Sequence, residues 1–385
     1  METGAFVVAR EACVKEHTRI GEKVSVFEVD ERESIDIDSA GDWVLSESLM
    51  RRKKILFRVD GYVKLGLGHI YNCITLALSM VEHDVLLVTH EDAEPGIKKI
   101  KETNLPYRTF REETELKDII QDFQPDVWVN DCLNTSKEYI EWLKTNVPRV
   151  VTIEDLGEGT KAADAVVNAL YDENEPRQNI YSGYQYVCLR DEFQVEQPKK
   201  FSSTVKNIIV MFGGTDPSNL NRLVYDAILS RIERFSSIRF YFITGIGYDN
   251  EINGVVTRPK ENVFVYPNVP RVTKYLKEAD LVIMGQGRSI FEAACMGVPA
   301  VVLSQNERET THSFAQMEHG FLNLGLGNEA DPSLITNTLE WLIHTRAVRE
   351  NMHRLMMQTP LKKGLERVKQ IILGEYDVEH DHRTL

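Results

Sequence analysis

The chain has few cysteines, no long apolar run and no excess of positive charge. Its five cysteines are scattered without a CxxC pair, which excludes a disulfide framework or zinc site of the usual spacing and favours buried thiols in a reducing compartment. No apolar run is long enough to span a bilayer, and the first residues lack the pattern of a signal peptide. We therefore expect a cytoplasmic protein without a membrane partner.

Basic residues are outnumbered, with 45 Lys and Arg against 59 Asp and Glu, so the formal net charge is −14. Such a chain repels the phosphates of nucleic acids, which argues against nucleic acid as the main partner. A small phosphorylated ligand is compatible with this charge, because a local cluster of backbone N–H groups can bind an anion even when the net charge of the chain is negative. The dinucleotide-binding glycine spacing is also missing, since Tyr71 stands at the sixth position from Gly66. We expect no cofactor and no metal.

Short apolar runs alternate with amphipathic stretches in two successive series. Strands are predicted at 55–57, 85–89, 127–130, 150–153, 165–168, 186–189, 208–212, 239–243, 263–266, 281–284 and 300–303. Strands that are apolar on both faces and separated by helices are typical of a parallel sheet covered by helices. The fold class is therefore α/β, with two doubly wound Rossmann-type domains facing a cleft and a short N-terminal appendage.

Helices are predicted between these strands and after them. They cover about 70–81, 96–103, 115–123, 137–145, 219–234, 271–278, 289–296, 310–320 and 332–344, followed by a tail from 347 to 373 interrupted near Pro360. In the N-terminal appendage we expect a strand at 4–8 and a helix from about Gly41. The polar segment 194–200 is predicted to be a linker between the two domains. The predicted domains are 1–53, 54–198, 199–346 and a helical tail, 347–385.

The first strand runs into a loop with two glycines and a histidine: Gly66, Leu67, Gly68 and His69. Glycines let the backbone approach a ligand, and the start of the following helix favours an anion such as a phosphate. The same field disfavours an imidazolium, so His69 is expected to stay neutral and to serve as a general base near pH 7. The alternative is a tight turn whose histidine is merely exposed.

Two carboxylates follow strands of the first series. Asp60 ends the first strand and Asp131 ends the third, where side chains face the cleft of a parallel sheet. Either could orient an imidazole or a sugar hydroxyl, and Arg58 lies close by as a substrate-binding candidate. For each aspartate the competing interpretation is a helix N-cap or a turn. For Asp155 a turn through Gly157 is favoured.

The second series contains two more glycine loops. Gly213 and Gly214, followed by Thr215, could wrap a phosphate with the threonine hydroxyl as a further donor, although glycine pairs also make simple turns. Gly285, Gly287 and Ser289 repeat the arrangement and could hold a pyrophosphate. Glu292 could then accept hydrogen bonds from a ribose diol. The alternative is structural, with Ser289 and Glu292 forming a capping box.

Gln305 and Asn306 follow the last predicted strand. Their side-chain amides could bind sugar hydroxyls, and an exposed polar loop would look the same. The joint arrangement carries more weight than any single motif. Glycine loops and polar groups all stand at the carboxyl ends of strands in two facing domains, which predicts a nucleotide-sugar cleft.

These motifs resemble the UDP-2,4-diacetamido-2,4,6-trideoxy-β-L-altropyranose hydrolases of pseudaminic acid biosynthesis. The matching residues, in order, are Arg58-Val59-Asp60, Gly66-Leu67-Gly68-His69, Thr75-Leu76-Ala77, Gly183-Tyr184, Leu189-Arg190-Asp191-Glu192-Phe193, Phe212-Gly213-Gly214-Thr215-Asp216-Pro217, Ala279-Asp280, Gly287, Ser289, Glu292 and Gly297-Val298-Pro299. The resemblance covers about residues 54–320. It implies a fold like the GT-B glycosyltransferases, with the sugar passed to water.

The resemblance also implies roles for individual residues. His69 would activate the water that attacks the anomeric carbon, and the glycine loops of the second domain, with Glu292, would hold UDP. The chain departs from the family near the sugar pocket. Asn72 stands where an arginine is usual, and Asp131-Cys132-Leu133-Asn134 replaces a motif that contains tyrosine.

The first fifty residues resemble the carboxyl end of an acylneuraminate cytidylyltransferase. The matching residues are Gly4-Ala5-Phe6, Ser34-Ile35-Asp36-Ile37-Asp38, Asp42-Trp43 and Glu47. The CTP-binding loop of that family is absent, so this segment by itself is not expected to make a CMP-sugar. The resemblance implies a remnant, which could be part of a truncated fusion, part of a split enzyme or a relic that stabilises a homodimer. It could also bind a cytidylyltransferase through residues 1–53.

The expected function is hydrolysis of a UDP-linked acetamido sugar to UDP and free amino sugar, in the synthesis of nonulosonic (sialic-acid-like) acids. One alternative is a GT-B glycosyltransferase that uses the same UDP-sugar cleft. Another is a non-catalytic nucleotide-sugar-binding partner of a cytidylyltransferase, which the departure at Asn72 keeps open.

Overall fold

The computed structural model describes residues 7–11, 23–29, 34–62, 66–172, 177–256 and 261–377. The chain divides into a small unit, Met1–Lys53 with Glu82–Asp84, and a large unit, Lys54–Val81 with Val85–Leu385. No helix in the described part of the chain combines the length and the apolar character needed to cross a membrane.

In the small unit, one helix is well defined. Helix α1 (Ala40–Arg51) confirms the helix predicted from about Gly41 and begins with a capping box, in which Ser39 Oγ accepts from Asp42 N and Asp42 Oδ2 accepts from Ser39 N. None of its residues is buried. The predicted strand at 4–8 falls mostly outside the described residues, with Gly4, Ala5 and Phe6 among those left out, and Val7 and Val8 form no strand.

The large unit begins with a parallel α/β series. Its elements are β1 (Lys54–Val59), α2 (Gly68–Leu78), β2 (Asp84–His90), α3 (Glu94–Lys101), β3 (Tyr107–Phe110), α4 (Leu116–Phe123), β4 (Val127–Asp131), α5 (Lys137–Asn146), β5 (Arg149–Ile153), β6 (Ala165–Asn168), β7 (Ile180–Ser182) and α6 (Asp191–Val195). The strand order is β3-β2-β1-β4-β5-β6-β7. Because β1 pairs with β4, Val59 stands beside Asp131 at the carboxyl edge of the sheet.

A second parallel sheet follows. Its elements are β8 (Asn207–Met211), α7 (Leu220–Ser230), β9 (Arg239–Thr244), β10 (Val263–Pro267), α8 (Thr273–Glu278), β11 (Leu281–Gly285), α9 (Ser289–Met296), β12 (Ala300–Ser304), α10 (Glu307–Thr310), β13 (Phe321–Leu326), α11 (Pro332–His344), α12 (Arg346–Met357) and α13 (Gly364–Leu373). The order is β10-β9-β8-β11-β12-β13. Strands are added to one side of β8 up to β10 and to its other side from β11 onward, and a doubly wound sheet opens a ligand crevice at such a reversal of strand order.

All strands predicted between residues 55 and 303, except 186–189, are confirmed to within two residues. Residues Tyr184–Tyr186 form a 3-10 turn instead, and β7 lies earlier in the chain. The helix predicted at 310–320 is also wrong, since that segment holds the end of the short α10 and a 3-10 turn at Met317–His319. Strands β3 and β13 were not predicted, because partly exposed edge strands lack the continuous apolar run of buried ones.

Helix α13, the last helix within the described residues, returns to the first sheet. Val368, Ile371 and Ile372 of α13 are buried in one cluster with residues of β1 and β4. Arg149, at the start of β5, donates from Nε to the carbonyl of Ile372 at 3.0 Å and from Nη2 to that of Ile371 at 2.8 Å. The helical tail predicted at 347–385 is thus split between the two sheets, since α12 buries Met352 among side chains of the second sheet.

Candidate functional site

The carboxyl ends of both sheets open into one cleft of about 450 Å³. This volume lies in the usual range for small-molecule sites, roughly 300–1,000 Å³. The predicted site residues that line it are Gly66, Gly68, His69, Gly213, Gly214, Thr215, Gly285, Gly287, Ser289, Glu292, Gln305 and Asn306. The loops of the two domains approach closely, since a Cβ on Gly214 would lie 2.9 Å from the Leu67 side chain.

His69 and Asp131 form a hydrogen-bonded dyad. His69 stands in the first turn of α2, and its Nδ1 lies 2.6 Å from Oδ1 of Asp131. Asp131 is fully buried behind the histidine and also accepts from Asn72 Nδ2 at 3.0 Å. Burial acts to raise the pKa of Asp131, but the His69 ring, the Arg288 cation and the Asn72 amide outweigh it and hold the pKa below its usual value.

This contact sets the tautomer of His69. An ionised carboxylate only accepts hydrogen bonds, so Nδ1 of His69 carries the proton that faces Asp131. The lone pair then resides on Nε2, and His69 lines the cleft. Its side chain is only 13% exposed. An imidazole held in this way can accept a proton from a water or hydroxyl group bound in the cleft.

Asp60 and Arg58 do not lie in the cleft lining. Nη1 of Arg58 lies 2.5 Å from Oδ2 of Asp60, and the guanidinium stacks on Phe110 with its carbon 4.5 Å from the ring centre. Oδ1 of Asp60 accepts from the backbone N–H of His90 at 2.9 Å. These contacts connect β1, β2 and β3 and are structural. The predicted catalytic role of Asp60 and substrate-binding role of Arg58 stay predictions, which no contact with the cleft supports.

The first glycine loop of the second domain has features of a ligand site. Gly213 has a φ of +77°, which residues with a side chain adopt only under strain. The Oγ1 atom of Thr215 is buried and has no hydrogen-bond partner within the described residues. A buried hydroxyl in a cleft wall needs a partner, and a bound phosphate oxygen would provide one.

At the second loop the capping-box alternative is wrong. Arg288, not Ser289, is the N-cap of α9, and no side chain caps the helix. Glu292 Oε1 instead accepts from Nε of Arg190 at 2.8 Å. Burial raises the pKa of Glu292, and the Arg190 cation opposes this rise. Glu292 therefore contacts Arg190, the residue that precedes α6, and it stays a candidate acceptor for a ribose diol.

Gln305 and Asn306 line the cleft, and both also make hydrogen bonds within the protein. Gln305 Nε2 donates to the carbonyl of Phe212 at 2.9 Å, and Asn306 Oδ1 caps α10 by accepting from Glu309 N at 3.0 Å. Glu309, also in the lining, accepts from the backbone N–H of Gln305 at 2.8 Å. Burial raises the pKa of Glu309 to about 7.

Glu154, Arg288 and Arg308 were missed as site residues. Glu154 follows β5 with a φ of +52°, and its Oε1 accepts from Nη2 of Arg288 at 2.9 Å. Its carbonyl accepts from Nη2 of Arg308 at 2.8 Å. For Glu154 a signal was available in the sequence, because it is a polar residue directly after a strand, and the same signal singled out Asp131.

Across the described residues, no group of three or more His, Cys, Asp or Glu side chains could hold a metal ion.

Comparison with known proteins identifies the class of the fold. Residues 208–365 match the Glycosyltransferase family 28 C-terminal domain. The crystal structure of MurG from Acinetobacter baumannii superimposes on this chain with a TM-score of 0.59. The two chains are 14% identical, and the match covers 84% of this chain and 99% of MurG. The chain therefore has the GT-B glycosyltransferase fold, with two Rossmann-like domains.

The similarity to two curated relatives extends beyond the second domain of this chain. An uncharacterized protein of Methanocaldococcus jannaschii, MJ1062, is 28% identical over 74% of this chain and 66% of its own length, just under two thirds. The spore coat polysaccharide biosynthesis protein SpsG of Bacillus subtilis is 25% identical over 84% of this chain and 98% of its own. The chain is thus similar to a polysaccharide biosynthesis protein along most of its length.

Proposed function

We propose that this chain hydrolyses a UDP-linked acetamido sugar, releasing UDP and the free amino sugar for the synthesis of nonulosonic acids. The observation that carries the proposal is the His69–Asp131 dyad, whose histidine lines the same cleft as the glycine loops of the second domain. A base on one wall and phosphate-binding loops on the other suit cleavage of a sugar–phosphate bond.

The proposed reaction is in-line attack of water at the anomeric carbon. Nε2 of His69 takes a proton from the water as its oxygen bonds to that carbon. The bond from the anomeric carbon to the β-phosphate oxygen breaks, and its electron pair leaves with UDP. Backbone N–H groups of the Gly213–Thr215 and Gly285–Ser289 loops, with the Thr215 hydroxyl, would stabilise the diphosphate.

The experiment is incubation with a panel of UDP-amino sugars, with UDP and free sugar followed together. Equal amounts of both products are expected from the wild-type chain, and His69→Gln should lower the rate about 10²–10⁴-fold while UDP affinity is kept. His83→Gln, which removes a histidine of the small unit, is the control. Full UDP release by His69→Gln would show that the assigned role is wrong.

A glycosyltransferase is the second candidate, and the family 28 match at residues 208–365 favours it. In that case the sugar passes to the hydroxyl group of an acceptor, with His69 again as the base. The two reactions differ in the product and not in the cleft. Mass spectrometry of reactions with and without added acceptor glycans distinguishes them, because a transferase needs the acceptor to release UDP rapidly.

The remaining alternative, a binding partner without turnover, depended on Asn72. In the structure Asn72 donates to Asp131 Oδ2 at 3.0 Å and so supports the dyad. This contact favours an enzyme. A chain that bound UDP-sugars tightly and released no UDP with any donor or acceptor would instead support the partner role.

A further inference from the structure

We propose that Arg288 is a further catalytic residue, which binds the diphosphate of the nucleotide sugar and neutralises the charge that the leaving UDP gains. The inference rests on the proposed function, because it assumes that a nucleoside diphosphate leaves in this cleft. Sequence reasoning gave Arg288 no role, although it lies between two residues of the predicted pyrophosphate loop.

The position of Arg288 suits this role. It lies between Gly287 and Ser289 at the start of α9, and it lines the cleft with a side chain that is 15% exposed. Its Cδ lies 4.0 Å from the place of a Cβ on Gly68, next to His69. The guanidinium therefore stands between the phosphate loops and the proposed base, where the bond to the anomeric carbon would break.

Its unused donors distinguish Arg288 from two other arginines of the cleft. Arg190 is engaged by the carboxylates of Glu192 and Glu292. Arg308 donates from Nε to Tyr171, from Nη1 to Asn134 and from Nη2 to Glu154. Arg288 donates only from Nη2 to Glu154, so its Nε and Nη1 make no hydrogen bond to any described residue. Both remain available for a ligand.

Glu154 is the positioning residue for this guanidinium. Its carboxylate accepts hydrogen bonds from the backbone N–H groups of Ala169 and Leu170, at 3.2 and 3.3 Å. Its backbone has a φ of +52°, which glutamate rarely adopts. Such strain is concentrated at functional sites. Because two backbone N–H groups hold the Glu154 carboxylate, it orients Arg288 before any ligand binds, as preorganised electrostatic catalysis requires.

Charge balance supports the same conclusion. The chain carries a formal net charge of −14, and Asp131 and Glu154 place two buried carboxylates near the reacting groups. A diphosphate entering this region needs a local cation. As the anomeric C–O bond breaks, the bridging oxygen takes the electron pair and gains negative charge, while the proton from water goes to His69. Arg288 donates hydrogen bonds to the diphosphate oxygens during this step.

The first test is binding, which does not depend on turnover. Isothermal titration of Arg288→Gln should show about a 10- to 100-fold loss of affinity for UDP and unchanged affinity for uridine, because only UDP carries the diphosphate. Arg288→Lys should recover part of the loss. Arg234→Gln, an exposed arginine of the same domain that pairs with Glu340, is the charge-matched control and should bind UDP normally. Equal losses for UDP and uridine, or no loss, would overturn the proposal.

The second test separates catalysis from ground-state binding. With a substrate that the wild-type chain turns over, Arg288→Gln should lower kcat by about 10²-fold, more than it raises KM. An unchanged kcat would refute the catalytic role even if UDP affinity fell. If no UDP-sugar is turned over at all, the proposed function fails, and the comparison of UDP with uridine still decides whether Arg288 binds diphosphate. Thermal unfolding of each variant excludes a folding defect as the cause.

Discussion

At the scale of single residues, the role of a charged side chain near the cleft depends on the partner that it contacts. Asp60 and Asp131 both end strands of the first sheet, yet only Asp131 contacts His69. Asp60 is neutralised by Arg58 and turned toward β2. Identical residue types at equivalent positions therefore serve different purposes, because the neighbouring strand supplies a different partner.

The dyad gives the first prediction. Asp131→Asn should lower turnover of the UDP-sugar about 10²–10⁴-fold, because an amide no longer forces the proton onto Nδ1 of His69 and the wrong tautomer faces the cleft. Affinity for UDP should stay within about twofold of wild type. Asp122→Asn, an exposed residue that pairs with Arg108, is the matched control. Steady-state kinetics and UDP titration measure both effects, and a fully active Asp131→Asn would contradict the assignment.

Glu309 gives the second prediction, on the pH dependence of stability. Burial raises its pKa in the folded chain to about 7 from 4.5, so the folded state holds a proton that the unfolded state has lost. The free energy of unfolding is therefore highest below pH 4.5 and falls as the pH rises through 7, by an amount on the order of 3 kcal/mol. In Glu309→Gln the free energy of unfolding should therefore depend less on pH between 5 and 8.

Urea unfolding at pH 5.5 and pH 8 measures this difference. Glu307→Gln removes a negative charge from an exposed position of the same helix, α10, and serves as the control. If Glu309→Gln and wild type showed the same change in unfolding free energy between the two pH values, the buried carboxyl would not be the titrating group.

At the scale of elements, the glycine loops combine two requirements that mutation can separate. Gly213 needs its backbone conformation, with a φ of +77°. Gly287 has no such requirement, and a Cβ there would meet Glu309 Oε1 at an ordinary distance of 3.6 Å. Its lack of a side chain therefore leaves room for a ligand and is not needed for folding.

The third prediction follows from this contrast. Gly287→Ala should keep the wild-type unfolding free energy but weaken UDP binding, because the methyl group enters the loop that we propose to hold the diphosphate. Gly213→Ala should cost roughly 1–2 kcal/mol of stability from backbone strain and weaken UDP binding as well. Gly325→Ala, at a φ of +80° in β13 with open space around it, should lose similar stability and bind UDP normally. Urea unfolding and UDP titration give both readouts.

At the scale of the whole molecule, the last helix connects the two domains. Helix α13 follows the second sheet in sequence but buries Ile371 and Ile372 against the first. The core of the first domain is therefore complete only when α13 has folded onto it.

The fourth prediction tests this dependence. Ile372→Ala should destabilise the first domain by about 2–5 kcal/mol, the usual effect of truncating a fully buried aliphatic side chain. Met357→Ala, at a position 42% exposed on α12, should have little effect. Urea unfolding of the full chain measures the difference. Equal stabilities of the two variants would mean that α13 contributes little to the first domain.

Much of the fold could be predicted from local patterns. The apolar runs identified most strands of both sheets, and most of the predicted site residues line the cleft. The failures occur where the pattern is weak, as in β3, whose two central residues are exposed, and in the polar segment after α10. Local periodicity reports burial, so an element that is only half buried gives little signal.

The sequence by itself determined the α/β class, the order of the elements and the loops in which chemistry would reside, because apolar periodicity and glycine placement are local properties. Only the tertiary structure decided that Asp131 and not Asp60 holds His69, that Glu154 orients Arg288 across the cleft, and that α13 belongs to the first sheet. These contacts join residues 62 to more than 200 positions apart, and they depend on strand order and domain packing, which no local pattern specifies.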